Sequence, residues 1–353
     1  MSIFRSEAVL LPEFIPDKPV HREAQLGEVA ECVKPILAGR RAENVFLYGL
    51  PGTGKTTCMR YMLSELREQD PHLLCLYVNA WRFNTRLSIL SLIAEKMKIV
   101  FPRRGIAGDE LLERIVEISQ KEKTKIVIAI DEVDQLTARG ESGLLYDLSR
   151  GKELYGMDIA IICASNDAAA VSNFDSRIKS SLAPRRIEFT RYSPLELKDI
   201  LRERAKLSFS PNSCSDEVIA LCAAHAAKNG GDARLALQCL WAAGRDSENF
   251  GLDYIGVENV KKILAIAGVE KGSLKKAELK ELGEVEKQII AVLKKFPDGI
   301  SSGELYAELK EKNIEERTAR NHLLVLEKTG LISVKETQGA SGKGKSRMIS
   351  LSR

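Results

Sequence analysis

The chain has 353 residues, 44% hydrophobic and 29% charged, with a formal net charge of +4. That length exceeds one ordinary core and implies two or three domains, while the balance excludes both the apolar excess of a membrane protein and the depletion of a disordered chain. Seven cysteines scattered without a C-x-x-C pair, and a start, MSIFRSEAVLL, without a secretory pattern, exclude a disulfide scaffold and point to reduced thiols in a cytoplasmic protein.

In chain order, NVFLYG (44–49), LLCLYVNA (73–80), IVIAID (126–131) and DIAIICASN (158–166) read as strands separated by helical periodicity. A fifth short strand falls within RRIEFTRY (185–192). This alternation predicts a parallel sheet with helices on both faces, an α/β nucleotide-binding domain over residues 1–192. SPLE at 193–196 is a capping signature, with Ser193 as N-cap, Pro194 in the first turn and Glu196 three residues on. The amphipathic segments PLELKDILRERAKL, DEVIALCAAHAAK and DARLALQCLWAAGRDSE follow, with NGG as a helix stop and Asp232 as the next cap, so 193–268 forms an all-α lid. Residues 269–283 are a polar, lysine-rich linker. Three helical segments then precede LISVKE, a glycine-rich turn and SRMISLS; residues 284–353 have the pattern of a winged helix. Between Thr337 and Arg353 there are lysines and arginines but no acid.

The chemistry begins at GLPGTGKTT. Gly49, Gly54, Lys55 and Thr56 satisfy G-x-x-x-x-G-K-[ST] between a strand and a helix. In that context the backbone of Pro51, Gly52, Thr53 and Gly54, continuing into Thr57, cradles phosphates; Lys55 neutralises the β/γ oxygens and the Thr56 hydroxyl ligates Mg²⁺. IVIAIDEVD ends a buried strand in two carboxylates. Asp131 belongs near the Mg²⁺ shell, Glu132 where a water is oriented for attack, and Asp134 is a neighbour. Asn166, at the end of the next strand, is a sensor for the γ-phosphate or that water. Arg234, in the first turn of a lid helix, either reaches back to phosphate or is a surface charge. Arg177, near Lys179 in a basic turn, serves a neighbouring molecule's ATP or is a solvated loop charge. In the last domain Arg317, Arg320 and Asn321 share one helix face opposite Ala319, Leu323 and Leu326, a face suited to a major groove, while Lys343 and Lys345 in the wing suit phosphate.

With these pieces in one order, the chain resembles, over nearly its whole length, the archaeal replication initiators related to origin recognition complex subunit one and to cell-division-cycle-six protein, AAA+ ATPases with a winged helix. The likeness is carried by IFRSEAVLLPEFIPDKPVHRE, NVFLYGLPGTGKT, IDEVD, ASND, SRIKSSLAPRRIEFTRYSPLEL, GGDARLAL and HLLVLEKTGLI. It departs at Ala80, where cysteine is frequent, in CASND, and in GDARLAL, which lacks a second arginine. The resemblance implies that the segment at Val20, His21 and Arg22 passes the adenine, that Tyr192 and Arg204 lie at the nucleotide, and that the insertion RFNTRLSILSLIAEKMKIVFPRRG contacts DNA through Arg86, Arg103 and Arg104. It further implies ATP or ADP with Mg²⁺, slow hydrolysis, origin duplex DNA, a replicative helicase and further initiator subunits as partners. A Holliday-junction branch-migration motor also joins AAA+ to a winged helix; KSSLAP and the arginine-bearing insertion favour the initiator, and a clamp-loader-like ATPase would need a collar in place of the last domain.

Overall fold

The computed structural model describes residues 2–102, 105–264, 284–293, 296, 300–310, 314, 316, 318–320, 322–323, 332–338 and 345–351. The chain divides into two compact units, Met1–Ile263 and Leu264–Arg353.

The first unit is built on five parallel strands, β1 (Val45–Tyr48), β2 (Leu74–Asn79), β3 (Lys125–Asp131), β4 (Asp158–Ser165) and β5 (Arg185–Glu188), in the order β2-β3-β4-β1-β5. Alternating side chains supply two cores, one on each face. Phe46, Leu76, Val78, Ile128, Ile130 and Cys163 face one side with residues of α3 (Arg86–Lys96) and α4 (Gly108–Glu122). Val45, Leu47, Cys75, Val127, Ala129 and Ile162 face the other with α1 (Glu23–Val33) and α2 (Lys55–Gln69). Four shorter helices, α5 (Asp134–Ala138), α6 (Gly143–Ser149), α7 (Gly151–Tyr155) and α8 (Ser176–Leu182), complete this layer. β5 stops at Glu188, shorter than RRIEFTRY suggests, although the Phe189 amide still donates to the Tyr48 carbonyl.

Register sets the site. Tyr48 pairs with Ser165 and Asn79 with Asp131, so the carboxyl ends of β1, β4, β3 and β2 come out side by side. Ligands of open α/β sheets bind at such ends, where successive connections leave for opposite faces.

The lid consists of α9 (Pro194–Ser208), α10 (Asp216–Lys228) and α11 (Ala233–Asn249), followed by α12 at 257–264. Its starts are those the sequence predicts. The Ser193 hydroxyl accepts from the Glu196 amide at 3.3 Å and the Glu196 carboxylate accepts from the Ser193 amide at 2.7 Å. Asp232 caps α11 through the Arg234 amide at 2.8 Å. The N-terminal segment also meets the lid. Residues 3–7 pack on the lid: the Arg5 and Ser6 amides donate to the Ser208 carbonyl, Phe4 lies 4.9 Å from Phe209, and Trp241 Nε1 donates to Glu7 at 3.1 Å. The local pattern of this stretch carries no sign of that destination.

In the second unit α13 (Glu284–Leu293), α14 (Ser302–Lys310) and β6 (Ile300–Ser301) are joined by β7 (Ile332–Gln338) and β8 (Lys345–Leu351) in an antiparallel sheet of order β6-β8-β7. Its core includes Ile289, Val292, Leu305, Leu309, Ala319, Leu323, Ile332 and Ile349. Residues 318–320 and 322–323 are helical. All seven cysteines are free thiols. No helix among the described residues is long and apolar enough to cross a membrane.

Candidate nucleotide site

Between β1 and α2 the chain makes a loop that only glycine permits at its closest approaches. Gly49 has φ 147°, and a Cβ there would lie 2.2 Å from the Phe189 carbonyl oxygen; Gly52 has φ 73°, and its Cβ would collide with the Asp232 carboxylate of the lid. The Ala233 amide donates to the Gly52 carbonyl at 3.1 Å, so the start of α11 rests directly on the loop.

Two hydrogen-bonded groups stand beside it. The Lys55 ammonium donates to the Gly49 and Leu50 carbonyls at 2.7 and 2.9 Å and to Asn166 Oδ1 at 2.9 Å. Asn166 Nδ2 in turn donates to both Glu132 oxygens at 3.1 Å. Separately, the Thr56 hydroxyl donates to Asp131 Oδ2 at 2.6 Å, the Tyr77 hydroxyl donates to the same oxygen at 2.9 Å, and the Glu132 amide donates to Oδ1 at 3.1 Å. Burial, then the Asp131 and Asp134 charges, raises the Glu132 carboxyl above its ordinary value. Burial lowers the Lys55 ammonium against the opposing pull of Asp131 and Glu132. Burial and the Asp131 charge push the Tyr77 phenol up to about 12, so it is a donor at neutral pH. Asp134 accepts from the Ser165 hydroxyl at 2.6 Å and does not line the cavity.

These groups open onto a cavity of about 320 Å³, lined by Pro51, Gly52, Thr53, Gly54, Lys55, Thr56, Thr57, Asp131, Glu132 and Asn166 from the base and by Ile200, Arg204, Arg234 and Leu237 from the lid. Tyr192 and the segment from Leu11 to Val20 supply further wall. Loop amides, the Lys55 ammonium and the guanidiniums of Arg60, Arg204 and Arg234 on this wall suit a polyphosphate. A carboxylate and a hydroxyl in contact supply hard oxygen donors that suit Mg²⁺.

The remaining sequence-predicted residues divide. Val20 and Tyr192 border the cavity, and Arg204 borders it while donating to the Val9 carbonyl at 3.1 Å and lying 4.3 Å from the Phe14 ring. Arg22 does not line the cavity. It is buried, donating to the Thr53, His21 and Thr190 carbonyls at 2.9, 2.8 and 2.7 Å, with its guanidinium 3.7 Å from the Tyr192 ring centroid. It braces the loop from behind. His21 instead meets Asp199 of α9 at 3.1 Å. Arg177 is 81% exposed, outside the cavity, and paired with Asp175. Arg86 is no free cation: it is bridged to Asp147 at 2.9 Å and Asp109 at 2.8 Å. Arg320 is 64% exposed and paired with Glu316, opposite the buried Ala319 and Leu323. Lys345 opens β8, and Arg103, Arg104, Arg317, Asn321 and Lys343 lie outside the described residues.

Sequence reasoning missed Arg60, Tyr77 and Asn79, all on the cavity wall. The signal for two of them was present: Tyr77 and Asn79 alternate on β2, and the i, i+2 spacing puts both on one face at the strand end.

Two family models match the chain, a Cdc6 AAA+ ATPase-type lid domain over residues 198–267 and an AAA domain over residues 39–164. The ORC1-type DNA replication protein 1 of Sulfolobus acidocaldarius is 38% identical over 262 residues, 74% of this chain and 66% of that protein. The chain thus spans just under two thirds of that relative's length. The Aeropyrum pernix ORC1-type DNA replication protein 1 is 34% identical over 361 residues, 99% of this chain and 89% of that protein. Among solved structures, Aeropyrum pernix ORC1 in complex with DNA matches with a TM-score of 0.73 and 32% identity, covering 99% of this chain and 94% of that one. The Thermotoga maritima RuvB branch-migration motor matches at TM-score 0.53 and 17% identity, over 97% and 96% of the two chains, a likeness of fold alone. Matched to an Aeropyrum relative at 34% identity over nearly its whole length, the chain belongs to the ORC1-type DNA replication proteins, with an AAA+ ATPase domain and a Cdc6-type lid.

Proposed function

We propose that this protein is a nucleotide-controlled replication initiator of the cytoplasm, associated with the nucleoid. It holds ATP or ADP with Mg²⁺ in the cavity between sheet and lid, hydrolyses ATP slowly, binds origin duplex DNA, and helps bring the replicative helicase, with further initiator subunits, to that site. The observation that carries this reading is the convergence of the Lys55–Asn166–Glu132 chain and the Thr56–Asp131 pair on one cavity that Arg234 faces from the lid.

In this reading Lys55 exchanges its loop carbonyls for phosphate oxygens, Asp131 and Thr56 hold Mg²⁺, and Glu132 orients water under the restraint of Asn166. Bound Mg²⁺ supplies charge neutralisation at the phosphates. Because the lid already touches the loop at Gly52, and because Arg234 reports on phosphate from α11, the nucleotide sets the angle between base and lid. Arg177, outside its own cavity, serves a neighbouring molecule's nucleotide, which makes the isolated chain slow. DNA contact is assigned to residues 284–353 as a winged helix, through Arg317, Arg320, Asn321, Lys343 and Lys345, and to the insertion carrying Arg103 and Arg104. The Aeropyrum relative solved in complex with DNA supports DNA as a partner.

Footprinting on genomic duplex fragments with ATP and with ADP tests the whole. Selection of discrete duplex elements with a nucleotide-dependent pattern is the expected outcome. Recovery of four-way junctions alone would transfer the protein to the motor class.

A further inference from the structure

Tyr77 and Arg60 border the cavity, and none of the roles above uses them. β2 is an edge strand whose end is in register with Asp131, and Tyr77 lies two residues before Asn79 on the same face. Its hydroxyl donates to Asp131 Oδ2 at 2.9 Å, the oxygen that accepts from Thr56 at 2.6 Å, while the Glu132 amide holds Oδ1 at 3.1 Å. Of these donors, Tyr77 alone comes from outside the phosphate loop and the acidic strand end. Arg60 follows Thr56 by one turn of α2 and places its guanidinium 4.4 Å from the centroid of the Tyr77 ring, holding the phenol in its rotamer.

A carboxylate turns readily about its terminal torsion, whose energy wells are broad. Donors on both oxygens fix that torsion, and the phenol is itself a neutral donor. Mg²⁺ demands nearly ideal octahedral geometry and tolerates little misplacement of a ligand, and partners behind a metal ligand orient it. We propose that Tyr77, clamped by Arg60, is the positioning residue for the Thr56–Asp131 metal site, an inference that rests on the Mg²⁺–nucleotide reading above.

The test is the binding of a fluorescent ADP analogue to the full chain, first in EDTA and then titrated with Mg²⁺. Tyr77→Phe keeps the ring and removes the donor. Its Mg²⁺ concentration for half-maximal tightening is expected to rise about tenfold, the effect of one hydrogen bond to a charged group, with affinity in EDTA unchanged within about twofold. Arg60→Met leaves the hydroxyl in place and frees the ring; a rise of about threefold is expected. An unchanged Mg²⁺ midpoint in Tyr77→Phe overturns the proposal. So does an equal loss of affinity in EDTA, which marks a merely structural tyrosine. Wild-type protein that binds the analogue without responding to Mg²⁺ overturns the metal reading itself, an outcome separate from a normal wild-type response with an unaltered variant.

Discussion

Glu132 has φ 55°, the left-handed region that costs a non-glycine residue about 1 kcal/mol or more. Its carboxyl is also raised above the ordinary 4.5 by burial and by two neighbouring carboxylates. The sign of the linkage follows. A raised folded-state value means that ionisation is easier in the unfolded chain, so stability is fully present below about pH 4.5 and falls as pH rises through the folded value. Glu132→Gln removes the charge and the penalty. It is expected to raise the thermal midpoint by about 1–3 °C at pH 8, discounted for partial solvent access, with the gain gone at pH 4, while ATP hydrolysis is lost. Thermal scans of both proteins across that range check it. Lys55→Ala leaves the loop carbonyls to solvent and the phosphates without their cation; nucleotide affinity is expected to fall about 100-fold by fluorescence titration.

At the scale of elements, α9 begins with a reciprocal cap, and Ser193→Ala removes its acceptor for the Glu196 amide. A loss of about 1 kcal/mol is expected, a drop of about 2–4 °C in calorimetry for a unit of this size. The N-terminal segment is a second such element. Phe4 fills a space against Phe209 and Gly244, where a Cβ at position 244 would lie 2.5 Å from the Phe4 ring. Phe4→Ala opens this contact at the base of the lid and is expected to cost about 3 kcal/mol, measured by denaturant unfolding. Since residues 11–20 then run along the cavity, the same change is expected to weaken nucleotide binding, a coupling that a purely local defect would not show.

For the whole molecule, DNA affinity should fall steeply with salt. Lys343→Ala with Lys345→Ala, if both lysines contact phosphate, is expected to lower the slope of log affinity against log salt by about 2 in magnitude. A slope near zero in the parent protein would remove DNA from the list of partners. The branch-migration rival fares poorly at this scale: its likeness is to the fold, at 17% identity, whereas the ORC1-type relatives share sequence along the chain.

Local sequence determined the phosphate loop, the paired acids, the strand order along the chain and the helix caps, because each depends on residues within one turn or one strand of each other. Asp131, Glu132 and Asn166 were legible for the same reason: each ends an apolar run, and parallel strands present their ends together. What only the tertiary structure decided involves partners distant in the chain. Arg22 braces the loop because Thr190 and Tyr192 meet it from 168 and more residues away, and Arg86 is neutralised by Asp147, 61 residues on. Glu7 finds Trp241 across 234 residues, and Tyr77 reaches Asp131 across 54. A cation, an acid or a phenol has no period to betray its partner; packing of the sheet and lid supplies the partner, and with it the role.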